Sequence, residues 1–187
     1  MQHSNLALAI DTAARPLELA IVLPTLNEKD NLAPLIARLD AALAGIAWEA
    51  IFVDDNSPDG TADAARALSR SDRRVRVIQR IGRRGLASAA IEGMLATAAP
   101  VVAVMDADHQ HDPALLPGML DAVAGGQCDV AVASRFADGA STEDWGRPDR
   151  GRASTIANAI ARSVTGVDLG DPMSGYFMLR AETLRAA

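Results

Sequence analysis

Strand-like and helix-like segments alternate along this 187-residue chain, and this alternation constrains the fold more than any other feature. Each short apolar run is followed by a stretch in which apolar residues recur at helical spacing. Strands are predicted at residues 19–23, 50–53, 75–78, 101–105, 129–133 and 176–179. Four such strand–helix repeats predict an α/β fold, a three-layer α/β/α sandwich around a mostly parallel sheet.

Several element boundaries can also be predicted. Pro24 is expected to stop the first strand, and Thr61 can cap the helix that follows the second strand. The third helix is predicted from Leu86 to Ala99. Asp112 and Pro113 supply an N-cap and a first-turn proline for the fourth helix.

Composition narrows the class of protein. We expect a loosely ordered tail over residues 1–16 and one domain over 17–187. A net charge of −6 argues against a nucleic-acid partner recognised by bulk charge. The single cysteine, Cys128, excludes an internal disulfide and fits a reducing compartment. No apolar run approaches the ~20 residues that a membrane span requires, which leaves docking at a membrane surface open.

The strand predicted at 101–105 ends in two aspartates one residue apart, Asp106 and Asp108, with Gln110 two residues on. If extended geometry continues past the strand, both carboxylates point the same way, where they repel unless a cation lies between them. Oxygen ligands without a thiolate favour Mg²⁺ or Mn²⁺, so we expect these three residues to hold such an ion. His109 and His111 flank Gln110, but two histidines without a third ligand indicate zinc only weakly.

Polar residues follow two further strands, at 24–28 and 54–57, and parallel strands bring all three groups to one sheet edge. Glu28 and Asp55 can accept hydrogen bonds from a ribose or a base. Asp54 alone is better explained as a turn residue. Basic residues follow the fifth strand and indicate phosphate binding, with a solvated basic loop as the alternative. They are Arg135, Arg147, Arg150 and Arg152. The pattern predicts a nucleoside diphosphate ligand. The segment Gly82–Gly85 precedes a helix and could favour an anion, but it lacks the full phosphate-loop spacing.

Six motifs lie at residues 21–28, 53–61, 84–89, 105–113, 133–136 and 171–179. The longest reads Val-Asp-Asp-Asn-Ser-Pro-Asp-Gly-Thr and the last Asp-Pro-Met-Ser-Gly-Tyr-Phe-Met-Leu. Together they resemble the family 2 glycosyltransferases with the A-type fold, and specifically the polyprenyl-phosphate (dolichyl-phosphate) mannosyltransferases. Because catalytic domains of the family continue past the last strand, we expect this chain to be C-terminally truncated.

The resemblance implies roles for individual residues. Asp108 and Arg135 would be catalytic, and Asp106, Asp108 and Gln110 would hold Mg²⁺ or Mn²⁺. Arg150, Arg152 and Ser174 would face the acceptor phosphate. The nucleotide-sugar pocket would be lined by Pro24, Leu26, Glu28, Val53, Asp55, Asp106, Ala107, Asp108, Gln110 and Arg135.

The activity that the resemblance implies is inverting transfer of mannose from GDP-mannose to a polyprenyl phosphate. The protein would be peripheral at the cytoplasmic face of a membrane. Two alternatives stay open within this class: a UDP-glucose-dependent polyprenyl-phosphate glucosyltransferase and a non-catalytic nucleotide-sugar-binding fragment. A phospho-acceptor signalling module also gathers acidic residues at strand ends, but it needs a lysine where Arg135 stands here.

Overall fold

The computed structural model describes residues 15–133 and 175–186, which form a six-stranded sheet with helices on both faces. The sheet order is β3-β2-β1-β4-β6-β5. Only β6 runs against the other strands. The strands are β1 (Leu19–Thr25), β2 (Trp48–Asp54), β3 (Val75–Gln79), β4 (Val101–Val104), β5 (Val130–Val132) and β6 (Phe177–Arg180). The prediction of a mostly parallel sheet is confirmed.

Side chains alternate along each strand, so both faces of the sheet carry apolar side chains, and helices cover both faces. The helices are α1 (Leu32–Ala42), α2 (Thr61–Ser71), α3 (Leu86–Leu95), α4 (Leu116–Ala124) and α5 (Ala181–Ala186). Leu19, Ile21 and Leu23 of β1 pack with buried residues of α1, α2 and α4. Ala20 and Val22, which point to the opposite face, pack with α3 and α5. The predicted three-layer sandwich is therefore confirmed.

Helix α3 packs unusually close to the sheet because Gly93 lies at the contact. A Cβ atom added there would be 2.3 Å from Val22 Cγ1 and 2.9 Å from Val53 Cγ2. Only the absence of a side chain allows this approach. The helix thereby seals one face of β1 and β2 directly beneath the polar strand ends.

The prediction that Pro24 stops β1 is wrong, because β1 continues to Thr25. Val22 accepts a hydrogen bond from the backbone of Met105, so the backbone groups of residue 24 face the same neighbour, β4. That neighbour has already ended at Val104, opposite Val22. The missing N–H of Pro24 therefore breaks no ladder bond, and the strand tolerates a proline there.

Two helix boundaries also differ from the prediction. Helix α3 ends at Leu95 rather than Ala99. The hydroxyl of Thr97 accepts from the Ala99 N–H and donates to Glu49, which replaces further helical bonds. Thr61 is the first residue of α2 rather than its cap, and the Asp59 carboxylate accepts from its N–H.

The Asp112 prediction is confirmed. Its side chain accepts from the Ala114 N–H at 3.1 Å, at the start of a short 3₁₀ turn over Pro113–Leu115. This turn leads directly into α4. The cap fixes the point at which the chain leaves the loop after β4, which carries the acidic pair.

Candidate active site

The ends of β1 and β2 interlock at the carboxyl edge of the sheet. The backbone N–H of Asn27 donates to Ser57 Oγ at 2.9 Å, and that of Glu28 donates to Thr61 Oγ1 at 3.0 Å. The N–H of Lys29 donates to Asp59. Two of the predicted polar groups are thus one hydrogen-bonded unit, although 30 residues separate their bonded partners.

Two aspartates, the buried Asp54 and the exposed Asp59, organise the turn after β2. Asp54 is fully buried and accepts from both the N–H and the hydroxyl of Ser57, which is the turn role expected for it. Asp59 accepts from the Thr61 hydroxyl at 2.6 Å and its N–H at 2.9 Å. The hydroxyl bond lowers the pKa of the Asp59 carboxyl below its usual value. These bonds hold the loop in one conformation.

Asp55 is held by a buried arginine that sequence reasoning missed. Arg80, which follows β3, is only 1% exposed, and its Nη1 lies 3.1 Å from Asp55 Oδ1. The other carboxylate oxygen accepts from the Gly85 N–H at 2.7 Å. Arg80 also lies 3.5 Å from Glu92 and donates to Ser88 Oγ. An arginine after a short strand is usually exposed, so the sequence carried no signal for this role.

Asp106 lies against a glycine from the far end of the chain. A Cβ atom at Gly175 would be 3.2 Å from Asp106 Oδ2, a tight contact that would require the carboxylate to shift slightly. The same oxygen is 3.3 Å from His111 Nε2, and the carboxylate stays 39% exposed. The His111 ring packs on Tyr176, with 5.0 Å between the ring centroids. Burial raises the pKa of the Tyr176 phenol, which donates to the Asp112 carbonyl.

Arg38 of α1 fixes the loop that carries Asp108, a second role that the sequence did not reveal. Its Nη1 lies 3.2 Å from His109 Nδ1 and also donates to the His109 carbonyl. Because a guanidinium only donates, neutral His109 accepts at Nδ1 and carries its proton on Nε2. His109 has a φ of +65°, and Asp108 Oδ1 accepts from the Gln110 N–H.

The prediction that both carboxylates point the same way assumes that extended geometry continues past β4, and the structure does not show such a continuation. β4 ends at Val104, and the chain bends over residues 107–109, so strand alternation does not extend to Asp108. Within residues 15–133 and 175–186, no three His, Cys, Asp or Glu side chains gather in a way that could hold a metal. The two histidines bind different partners, Arg38 and Asp106, which leaves no zinc-like cluster among them.

The residues predicted to line a nucleotide pocket fall into two groups by burial. Leu26, Glu28, Asp106, Asp108 and Gln110 keep exposed surface, so a ligand can reach their side chains. The buried group consists of Pro24, Val53, Asp55 and Ala107.

Val53 is fully buried beneath α3, where its side chain packs in the core. Its place in the nucleotide pocket stays a prediction. The remaining predicted residues, Arg135, Arg147, Arg150, Arg152 and Ser174, lie outside the described residues.

Comparison with known proteins decides the family. The family model described as glycosyl transferase family 2 matches residues 20–186. The chain belongs to glycosyltransferase family 2. This family 2 protein carries its polar strand ends and its acidic pair entirely within the matched residues, as the resemblance implied.

Curated relatives of this family 2 protein share one kind of name. A dolichol-phosphate mannosyltransferase of Pyrococcus furiosus is 38% identical over 90% of this chain and 47% of its own length. The dolichol-phosphate mannosyltransferase of Saccharomyces cerevisiae is 35% identical, over 90% of this chain and 62% of its own. The polyprenol monophosphomannose synthase of Mycolicibacterium smegmatis is 36% identical, over 88% and 62%. The chain therefore spans about half to two thirds of the length of these relatives.

Solved structures establish the fold of the family 2 protein. Glucosyl-3-phosphoglycerate synthase from Mycobacterium tuberculosis, in complex with Mn²⁺, UDP and glucosyl-3-phosphoglycerate, superposes with a TM-score of 0.65 at 22% identity. The match covers 89% of this chain and 58% of that one. The fold is the A-type glycosyltransferase fold. No helix in the described ranges has the length and apolar character that crossing a membrane requires.

Proposed function

We propose that this protein transfers mannose from GDP-mannose to the phosphate of a polyprenyl phosphate, with inversion at the sugar. The observation that carries this proposal is the shared name of the curated relatives, which are mannosyltransferases acting on phosphorylated polyprenols or dolichol and match about nine tenths of the chain. The acceptor is a membrane lipid, so we place the protein at the cytoplasmic face as a peripheral protein.

The donor set after β4 fits a hard divalent cation. Asp106 and Asp108 are partly exposed oxygen donors, and no thiolate lies beside them in the chain. Mg²⁺ commonly takes only one or two protein carboxylates and completes its shell with substrate phosphates and water. Asp106, Asp108 and Gln110 would hold Mg²⁺ or Mn²⁺ in this way. When bound, the cation would stabilise the charge that develops on the departing diphosphate.

The chain's own residues would bind and orient the two substrates. Leu26 is 48% exposed beside the partly exposed Glu28, which supports a role for both at the nucleoside. Asp55 is buried against Arg80 and Gly85, which supports a role in fixing the pocket floor. Arg135 would contact the diphosphate, and Arg150, Arg152 and Ser174 the acceptor phosphate.

The reaction does not require a general base. The second pKa of a phosphate monoester is about 6, so the acceptor is already largely ionised at neutral pH. The protein needs to align that oxygen with the anomeric carbon and to stabilise the leaving group. A site that offers carboxylates and arginines in place of a catalytic histidine suits these two tasks.

A transfer assay with radiolabelled GDP-mannose and a polyprenyl phosphate tests the proposal. We expect lipid-linked mannose from the wild type and a fall of roughly 100-fold or more in Asp108→Asn, since stabilisation by a metal is worth several kcal/mol. Asp121→Asn, which removes an exposed carboxylate from α4, is the matched control and should retain activity. Undiminished transfer by Asp108→Asn would contradict the role given to that carboxylate.

UDP-glucose is the second candidate donor, because the superposed synthase has also been crystallised with UDP-glucose and Mn²⁺. Running the same assay with each donor separates the two, and we expect GDP-mannose to be used preferentially. Binding of GDP-mannose without any transfer would instead favour a non-catalytic nucleotide-sugar-binding fragment.

A further inference from the structure

The loop between β3 and α3 carries two large apolar side chains in solvent. Ile81 is 77% exposed and Leu86 is 59% exposed. Every residue from 81 to 88 is exposed. We call the six residues Ile81–Leu86 the β3–α3 tip. Leaving two such side chains in water on one short loop has a free-energy cost that burial against a partner would remove.

The charge of this loop indicates which partner fits it. Arg83 and Arg84 lie between the two apolar residues, and the tip contains no acidic residue. Arg83 forms an exposed ion pair with Glu92, whereas Arg84 makes no ion pair with any residue in the described ranges. Apolar side chains next to arginines are the combination that binds the interface of an anionic bilayer.

The base of the tip is rigid although its end is exposed. Buried Arg80 donates to the Gly85 carbonyl at 3.1 Å and to Ser88 Oγ at 2.6 Å. The Gly85 N–H donates to Asp55 Oδ2 at 2.7 Å. These bonds fix the Gly85 end of the tip, and the tip projects from the same sheet edge as Asp55 and the acidic pair. A preorganised loop loses less conformational entropy when it binds.

We propose that the β3–α3 tip docks the protein on an anionic lipid surface. Ile81 and Leu86 enter the headgroup region, and Arg83 and Arg84 contact lipid phosphates. Docking by this loop turns the candidate site toward the membrane, where a lipid phosphate acceptor would be presented. The inference rests on the proposed function only for that last consequence, because the surface itself is defined by the exposed side chains.

Flotation with vesicles tests this surface. Wild type and variants are floated with phosphatidylcholine vesicles that either contain or lack phosphatidylglycerol. We expect the wild type to float with the anionic vesicles. Partitioning should fall about tenfold in Ile81→Ser/Leu86→Ser and in Arg83→Gln/Arg84→Gln. The arginine pair should also lose the preference for phosphatidylglycerol.

Matched controls separate docking from general effects of polarity and charge. Leu95→Ser removes a 63% exposed leucine at the other end of α3. Arg70→Gln/Arg73→Gln removes two exposed arginines toward the opposite edge of the sheet, Arg70 in the last turn of α2 and Arg73 just before β3. Both controls should float like the wild type. The inference is overturned if the wild type floats with neither kind of vesicle. It is also overturned if the tip variants float as well as the wild type, or if the control variants lose as much partitioning as the tip variants.

Titration of the wild type and variants with GDP and Mn²⁺ distinguishes a failure of the docking surface from a failure of the proposed function. Ile81→Ser/Leu86→Ser should bind GDP like the wild type, which also confirms that this variant is folded. A wild type that floats through the tip but binds no GDP-mannose would refute the proposed function and leave the docking surface intact.

Discussion

Arg80 is the residue on which most of the candidate site depends. Its side chain is buried and joins the end of β2, the β3–α3 loop and the first turns of α3. A buried guanidinium is costly to desolvate, and the ion pairs with Asp55 and Glu92 offset that cost. Removing Arg80 leaves the buried Asp55 carboxylate without an ion pair, whereas Glu92 keeps its pair with Arg83.

We predict that Arg80→Met destabilises the protein by about 3–5 kcal/mol, because it leaves the buried Asp55 carboxylate without its cation. Urea unfolding followed by circular dichroism measures the change. Arg66→Met in α2 is the control, because both members of its ion pair with Asp63 are exposed, Arg66 at 42% and Asp63 at 84%, and the pair should contribute less than about 1 kcal/mol. Equal effects of the two substitutions would show that Arg80 has no special role.

At the scale of elements, the seating of α3 on the sheet is the most restrictive contact. Gly93 has no room for a side chain against Val22 and Val53, so the distance between helix and sheet depends on one residue. The same helix begins beside Asp55, through Gly85 and Ser88. Its position therefore affects both the core and the candidate site.

We predict that Gly93→Ala lowers the free energy of unfolding by about 1–3 kcal/mol, the range typical of overpacked cores. Thermal unfolding by calorimetry measures the loss. Gly118→Ala in α4 is the matched control: no heavy atom lies within 4 Å of its added Cβ, so helix propensity should raise stability by up to ~1 kcal/mol. A melting temperature unchanged by Gly93→Ala would contradict the close packing described here.

The elements were predictable because hydrophobic periodicity is local. The six strands lie where short apolar runs lie, and the Asp112 cap follows from two adjacent residues. The errors at Pro24 and at the end of α3 depend on neighbours that periodicity does not reveal. These are the point at which β4 stops and the bond from Thr97 to Glu49.

The candidate site was predictable only in part, for the same reason. Acidic residues that end parallel strands must share an edge, so the positions of Asp55, Asp106 and Asp108 follow from sequence. The arginines that hold them do not. Arg38 lies 71 residues from His109 in sequence, and Arg80 resembles a surface residue until its burial is seen. Val53 shows the converse, since a residue within a motif is part of the core.

At the scale of the whole molecule, sheet and helix layers bring distant parts of the chain to one edge. β4 is flanked by β1 and by the antiparallel β6, and Gly175 just before β6 lies against Asp106. The acidic pair is therefore supported from the first helix, through Arg38, and from the last strand. We predict that the proposed mannose transfer depends on a donor diphosphate and a cation that bind together at this edge.

Calorimetric titration with GDP-mannose, with and without Mn²⁺, tests that dependence most directly. We predict that Mn²⁺ raises the affinity of the wild type by about tenfold or more, which corresponds to roughly 1.4 kcal/mol. Asp108→Asn should abolish the gain, whereas Asp121→Asn should retain it. Equal affinity of the wild type in the presence and absence of Mn²⁺, or an undiminished gain in Asp108→Asn, would contradict the assignment of this edge as the donor and metal site.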